Sequence, residues 1–345
     1  MSWKAIDALD DARDATTSLL LPFDAGRWAR LAFIALFVGG LGGSGGAGSN
    51  TGTTTPTGGG STDIPTDSLP GFVTPENVFA AVIALVAVGI VLWLVWMFVG
   101  SVMQFVLVDA VVTKDVRIRK PFRERFWLGV RLFGFQAGLF VAVLAVILLP
   151  IAAVLLGSVA VTPAVGLLAI PLVFLAIALL LVVAIVMQLT TDFVVPTMIA
   201  EDRALLSSWG RVVPVFRAEL SEFGLYVIVR FILGILASIA VGIAALLAVL
   251  VVAIPFAIVG GAAFLALNAA NVALFSTVGL VVFGALGVLF VLAAIAVGAV
   301  VQMPVVTYFR YYSLFLLGSA DDSLDLVSQF RSDDDSSAPD GPTPA

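Results

Sequence analysis

KDVRIRKPFRERFWLGVR, residues 114–131, decides how this chain is threaded. It carries seven cations (Lys114, Arg117, Arg119, Lys120, Arg123, Arg125, Arg131) against two anions (Asp115, Glu124), a net +5. It lies between two of the most apolar stretches of the sequence. A basic island between apolar runs marks the cytoplasmic face of a membrane protein, because cationic loops resist translocation. The runs around it are long. Residues 78–108 give 31 positions without a charge, residues 132–191 give 60 and residues 231–309 give 79. About 20 apolar residues suffice for one helical crossing of the hydrocarbon core.

Composition points the same way. The 345 residues are 61% hydrophobic and 12% charged, with mean hydropathy +1.15. Soluble domains run at about 45–50% apolar and about 25% charged. The chain has no cysteine and no histidine. Disulfides, thiolate or histidine metal sites and Ser-His-Asp triads are therefore excluded. Only Lys4, Lys114 and Lys120 among the 17 cations are lysine, and the polar segments are rich in aspartate. An acidic, lysine-poor exterior fits a high-salt setting that screens charge over a few ångströms. This reads as a haloarchaeal plasma-membrane protein, although an acidic tail from a GC-rich genome gives the same composition.

Taken in order, residues 1–26 are expected to form an amphipathic surface helix rather than a signal peptide, whose n-region would be basic. Ile6, Leu9, Ala12, Leu19 and Leu20 recur near helical spacing, opposite Asp7, Asp10, Asp11 and Asp14. This helix is expected to pack on the bundle's own basic loops. A first span is expected over residues 27–43, with Arg27 and Trp28 as interfacial anchors. Residues 40–75 form a Gly/Thr-rich outer loop, and residues 114–131 and 196–222 are cytoplasmic. Residues 231–309 are expected to hold two spans, about 231–258 and 277–308, with a short apolar surface segment around Gly260 and Gly261. The transmembrane domain covers residues 1–318, followed by an acidic disordered tail, 319–345. Pro171 and Pro304 are expected to kink their spans, and Gly134-x-x-x-Gly138 and Ala294-x-x-x-Gly298 to bring helices close.

The cations test this threading. Four precede the first span, seven lie in the island, four between Arg203 and Arg230, and Arg310 and Arg331 are assigned to the tail. All 17 thus fall on the inner side, which predicts six helices with both termini cytoplasmic. Val102-Met103-Gln104, Val186-Met187-Gln188 and Val300-Val301-Gln302 end the three spans that run inward. They suggest three hairpin repeats, each a surface elbow helix followed by a span out and a span back. The expected fold is therefore all-α and polytopic, with cytoplasmic amphipathic elbows.

An amphipathic segment before Leu21-Pro22-Phe23-Asp24 and Arg27-Trp28, a Gly/Thr-rich outer loop and six spans resemble an uncharacterised haloarchaeal membrane protein family. The charged elbows between hairpins are loosely similar to the six-helix membrane region associated with glycerophosphodiester phosphodiesterases. Neither resemblance supplies a functional residue, and no barrel-sized catalytic segment is present.

No motif demands catalysis. Gly42-Gly43-Ser44-Gly45-Gly46 matches G-x-S-x-G formally but lies in low-complexity sequence without a triad partner. No catalytic residue, cofactor or metal ligand is assigned, and no nucleic-acid partner. Asp109, Arg131, Asp192 and Arg230 fall near the cytoplasmic ends of spans, within snorkelling reach. Asp109 or Asp192 pairing with Arg131 or Arg230 would stitch the repeats together, or would contact a substrate. Gln104, Gln188 and Gln302 are expected at one depth, as interhelical hydrogen bonds or the lining of a shared pocket. Arg117, Arg119, Lys120, Arg123 and Arg125 are the candidate contacts for lipid headgroups or a membrane or cytosolic partner. The expectation is a non-enzymatic structural or accessory protein, with a permease or exporter of an apolar or lipidic solute as the alternative.

Overall fold

Inside a hydrocarbon core, backbone polar groups must be satisfied within their own segment, so long uncharged runs become long helices. The computed structural model describes residues 4–39, 75–156, 163–273 and 276–330. Among the described residues the chain is helical throughout. The order is α1 (Lys4–Leu20), α2 (Ala25–Val38), α3 (Pro75–Thr113), α4 (Arg119–Glu124), α5 (Phe126–Leu155), α6 (Pro163–Leu189) and a π-helical turn (Thr190–Val194). Then follow α7 (Val195–Glu201), α8 (Leu205–Ala218), α9 (Leu220–Ala269), α10 (Thr277–Ala320) and two short 3₁₀ turns.

Among the described residues, five helices are long and apolar enough to cross a membrane: α3, α5, α6, α9 and α10. The sixth expected span is not among them. Helix α2 holds 14 residues, which is about 21 Å at 1.5 Å per residue and short of a core about 30 Å thick. Residues 40–43, expected to complete it, lie outside the described residues, as does most of the 40–75 loop. Helices α5 and α6 stop and start on either side of the expected break at 157–163.

Two expectations about α9 and α10 change. The surface segment at Gly260 and Gly261 does not form, and α9 continues unbroken for 50 residues. Two helical glycines cost about 1 kcal/mol each, and the flanking Ala, Phe and Leu residues carry the helix through. It ends at Asn271 in the left-handed region (φ 51), and Ser276 then caps α10 by accepting from the Gly279 N–H. Residues 319–330, expected to belong to a disordered tail, are instead packed. Leu324 and Val327 are buried, and Arg211 pairs with Asp321 at 2.6 Å. Residues 331–345 lie outside the described residues.

The core sits at one end of the molecule. It gathers α1, α2, the C-terminal ends of α3 and α10, the π turn with α7, α8, and the N-terminal turns of α9. We call this end the base. Helix α1 enters it through Ala12, Leu19 and Leu20 of the expected apolar set, with Leu9 partly covered, but Ala5, Ala8 and Ala15 take the place expected of Ile6. Ala5, Ala8, Ala12, Ala15 and Leu19, at alternating three- and four-residue spacing, are buried, whereas Ile6 is 47% exposed. Small side chains let α1 lie close against α10, where Tyr312 donates to the Ala5 carbonyl at 3.0 Å and Tyr308 to that of Leu9 at 3.4 Å. Lys4 pairs with Glu219 at 2.6 Å. Helix α1 therefore docks on α9 and α10. The basic island touches it through Lys114, which donates to the Ser18 hydroxyl at 2.9 Å.

Close backbone approach is also at the base and not at the expected small-residue motifs. A Cβ on Gly129 would fall 2.4 Å from a Val102 methyl, and one on Gly100 would fall 3.0 Å from the Phe37 carbonyl. Gly134, Gly138 and Gly298 have open space at that position. Among the described residues no neighbouring side chain or backbone meets those glycines.

Candidate functional site

Four elements carry polar side chains into the centre of the base: α3, the π turn, α9 and α10. A π turn bonds residues five apart, and the Val195 N–H donates to the Thr190 carbonyl. The residue five after Thr191 is Pro196, which has no N–H to offer. Arg310 from α10 donates to the Thr191 carbonyl through Nη1 at 2.6 Å, and through Nη2 to Gln104 Oε1 of α3. A local departure from α geometry, reinforced by a proline, is thus tied to a guanidinium 119 residues away in sequence.

Asp192 lies in the same turn. Its Oδ2 accepts from Tyr226 at 2.8 Å and from Gln188 Nε2 at 3.4 Å, and Arg230 Nε lies 3.7 Å away. The Arg230 guanidinium also stacks over the Phe309 ring at 3.5 Å, a desolvated cation–π contact. Asp192, Arg230 and Arg310 are each 4% exposed. Two guanidiniums and one carboxylate leave the centre at +1 if all three are ionised, and among the described residues Arg230 Nε and Nη1 are buried without a hydrogen-bond partner. Beside them is a cavity of about 30 Å³ lined by both arginines, Asp192, Gln104, Gln302 and Phe309 among others. Gln302 also donates to the Gly39 carbonyl at 2.6 Å, closing the end of α2 over the site.

The structure brings together some of the residues singled out in the sequence. Asp192 and Arg230 are paired, Gln104 and Gln302 line the cavity, and Gln188 reaches it through Asp192. Asp109 and Arg131 have no ion pair among the described residues, and Arg131 is exposed. Asp192 and Arg230 do not snorkel outward, because the base covers them. Arg310, assigned from sequence to the tail, lies instead inside α10 at the centre. Tyr226 and Thr191 were also missed. The signal was present. Gln302, Val305, Val306, Phe309 and Arg310 form one stripe at three- and four-residue spacing, and all line the cavity.

The basic island sits at the edge of the base. Lys114 closes α3 in the left-handed region (φ 54), where its Nζ lies 3.9 Å from the Phe330 ring centroid. Burial lowers its pKa from the ordinary lysine value. Arg117 pairs with Asp115 at 2.7 Å and Lys120 with Glu124 at 4.0 Å, both pairs exposed. Arg119 and Arg123 are exposed, Arg125 is half-buried, and Trp127 next to them is 73% exposed.

Among the described residues no group of three or more Asp or Glu side chains could hold a metal ion. The chemistry of the centre is that of a buried, positively charged hydrogen-bond donor set at the end of an apolar bundle. Helical throughout its described residues, with five membrane-length apolar helices, the chain is a membrane-embedded helical protein. It belongs to the family of unknown function DUF7544, whose pattern it matches over residues 3–327. No curated protein and no solved structure matches it.

Proposed function

We propose that this is a non-enzymatic accessory or structural protein of the plasma membrane that engages anionic lipid headgroups through the cytoplasmic face of its base. The two termini lie in the cytoplasm in this reading, and the acidic, lysine-poor surface suits a haloarchaeal source. One observation carries it: Arg119, Arg123 and Arg125 have no ion pair among the described residues and stand beside an exposed Trp127. A tryptophan at headgroup level next to cations is an interfacial anchor, and each cation near an anionic surface contributes about 1 kcal/mol at moderate salt. Native mass spectrometry with identification of copurifying lipid tests the proposal. A stoichiometric anionic lipid, lost when Arg117, Arg119, Arg123 and Arg125 all become Gln, is the expected result. Retention of that lipid by the variant, or a wild-type protein carrying none, overturns it.

A permease for an apolar or lipidic solute is the second reading. It is favoured by an apolar groove of about 460 Å³ lined by Leu233, Leu236, Ala237, Ala240 and Pro304, with Arg13 among the lining residues. Transport of a fluorescent lipid by reconstituted protein, blocked by Ala237→Phe, would replace the first reading with this one.

A further inference from the structure

We propose that the two-arginine centre binds a small monovalent anion of chloride size. A guanidinium stays protonated at any physiological pH. With the Asp192 carboxylate also ionised, Arg230 and Arg310 leave one positive charge uncompensated among side chains that are 4% exposed. A buried charge without a partner is strongly unfavourable, so an anion at this point stabilises the fold.

The hydrogen bonds give the position. Arg310 is engaged by Thr191 and Gln104, and Asp192 already accepts from Tyr226 and Gln188. Arg230 Nε is too far from Asp192, at 3.7 Å, for a hydrogen bond, and among the described residues Nε and Nη1 have no other acceptor. Both arginines line the cavity of about 30 Å³, with Arg230 Nε and Nη1 themselves covered beside it. A site of that volume holds about two waters, or one monatomic anion, and it excludes a phosphate headgroup. Its remaining walls include Val38, Leu107, Val305 and Val306, which suit a weakly hydrated halide. The site is separate from the basic island and independent of the headgroup reading.

The test is chloride dependence of the full-length protein in nanodiscs of zwitterionic lipid at constant ionic strength. Replacing gluconate by chloride should raise Tm in a saturable way, since a ligand of the folded state stabilises it by mass action. The protein should also broaden the ³⁵Cl resonance, and bromide should reverse the broadening. Arg230→Gln should weaken chloride at least tenfold. Asp192→Asn, which adds net positive charge, should tighten it severalfold. The variant with Gln at Arg117, Arg119, Arg123 and Arg125 should respond like wild type. Equal Tm in both salts, together with no ³⁵Cl broadening by wild-type protein, overturns the proposal without any variant. A response that survives Arg230→Gln and disappears with the island variant also overturns it, placing the anion on the surface.

Discussion

The base and the outer arms of this protein are built from similarly apolar sequence, yet they pack in opposite ways. At the base, Leu19, Leu107, Phe193, Tyr226, Tyr311 and Phe315 are fully covered by protein. Along α6, α9 and α10 outside the base, Leu181, Leu247, Val251, Leu289 and Leu292 face outward. Lipid tails are as apolar as leucine, so burying such a side chain against protein gains little within a bilayer. Helices associate there through hydrogen bonds and close van der Waals contact. The base has both, in the Arg310 bridge and the Gly129–Val102 contact, whereas the described arms have few of either. Hydrophobicity places the helices in the membrane, and polar links decide where they meet.

The sharpest way to break this contrast is to remove Asp192, the one carboxylate at the centre among the described residues. Asp192→Leu leaves Arg230 and Arg310 without a side-chain countercharge. Loss of one partner from a buried pair costs about 3–5 kcal/mol, read by chemical unfolding in detergent. Next, Gly129→Val should cost about 1–3 kcal/mol by overpacking, because its Cβ meets Val102 at 2.4 Å. The same assay should move the other way in the arms. Gly242 and Gly284 have open space at Cβ, so changing both to Ala should stabilise their helices by up to about 1 kcal/mol each.

The smallest expected effect is one of pH. Asp24 caps α2, accepting from the Gly26 N–H at 2.8 Å and the Arg27 N–H at 3.2 Å. The bond from Arg27, then that from Gly26, lowers its pKa below the ordinary 3.8. A depressed carboxylate contributes stability above its unfolded pKa and loses it as pH falls through the folded value. A slight drop in Tm on acidification below about pH 4, reduced in Asp24→Asn, checks this. Asp321, held down first by its bond from the Ser323 hydroxyl, accounts for part of what remains.

The spans were legible because hydropathy is local: a run of uncharged residues reports its own fate. The base was less so, because its packing depends on which turns of different helices meet. Helix α1 shows the problem. Ala12, Leu19 and Leu20 of the expected face are buried, but Ile6 is exposed and Ala5, Ala8 and Ala15 complete the contact, because the partner surface selects for small side chains and alanine carries little hydropathic signal. Arg310 ended the longest uncharged run and so read as the first residue beyond the membrane. Only the stripe from Gln302 distinguishes it from a boundary charge. The Asp192–Arg230 pairing was among the alternatives drawn from sequence, whereas the π turn that exposes Asp192 to α9 has no sequence signature beyond Pro196.

The clasp between α1 and α10 bears on how the molecule is made. Tyr312 bonds to Ala5 across 307 residues of sequence, so this contact waits until a helix made much later has left the ribosome. At about 5–20 residues per second that interval is roughly 15–60 s. During it α1 can reach Glu219 and Glu222 at the start of α9, but its clasp on α10 stays open. A chain cut short before Tyr308 would keep the contacts of α1 with Glu219 and Glu222 but lose its clasp on α10.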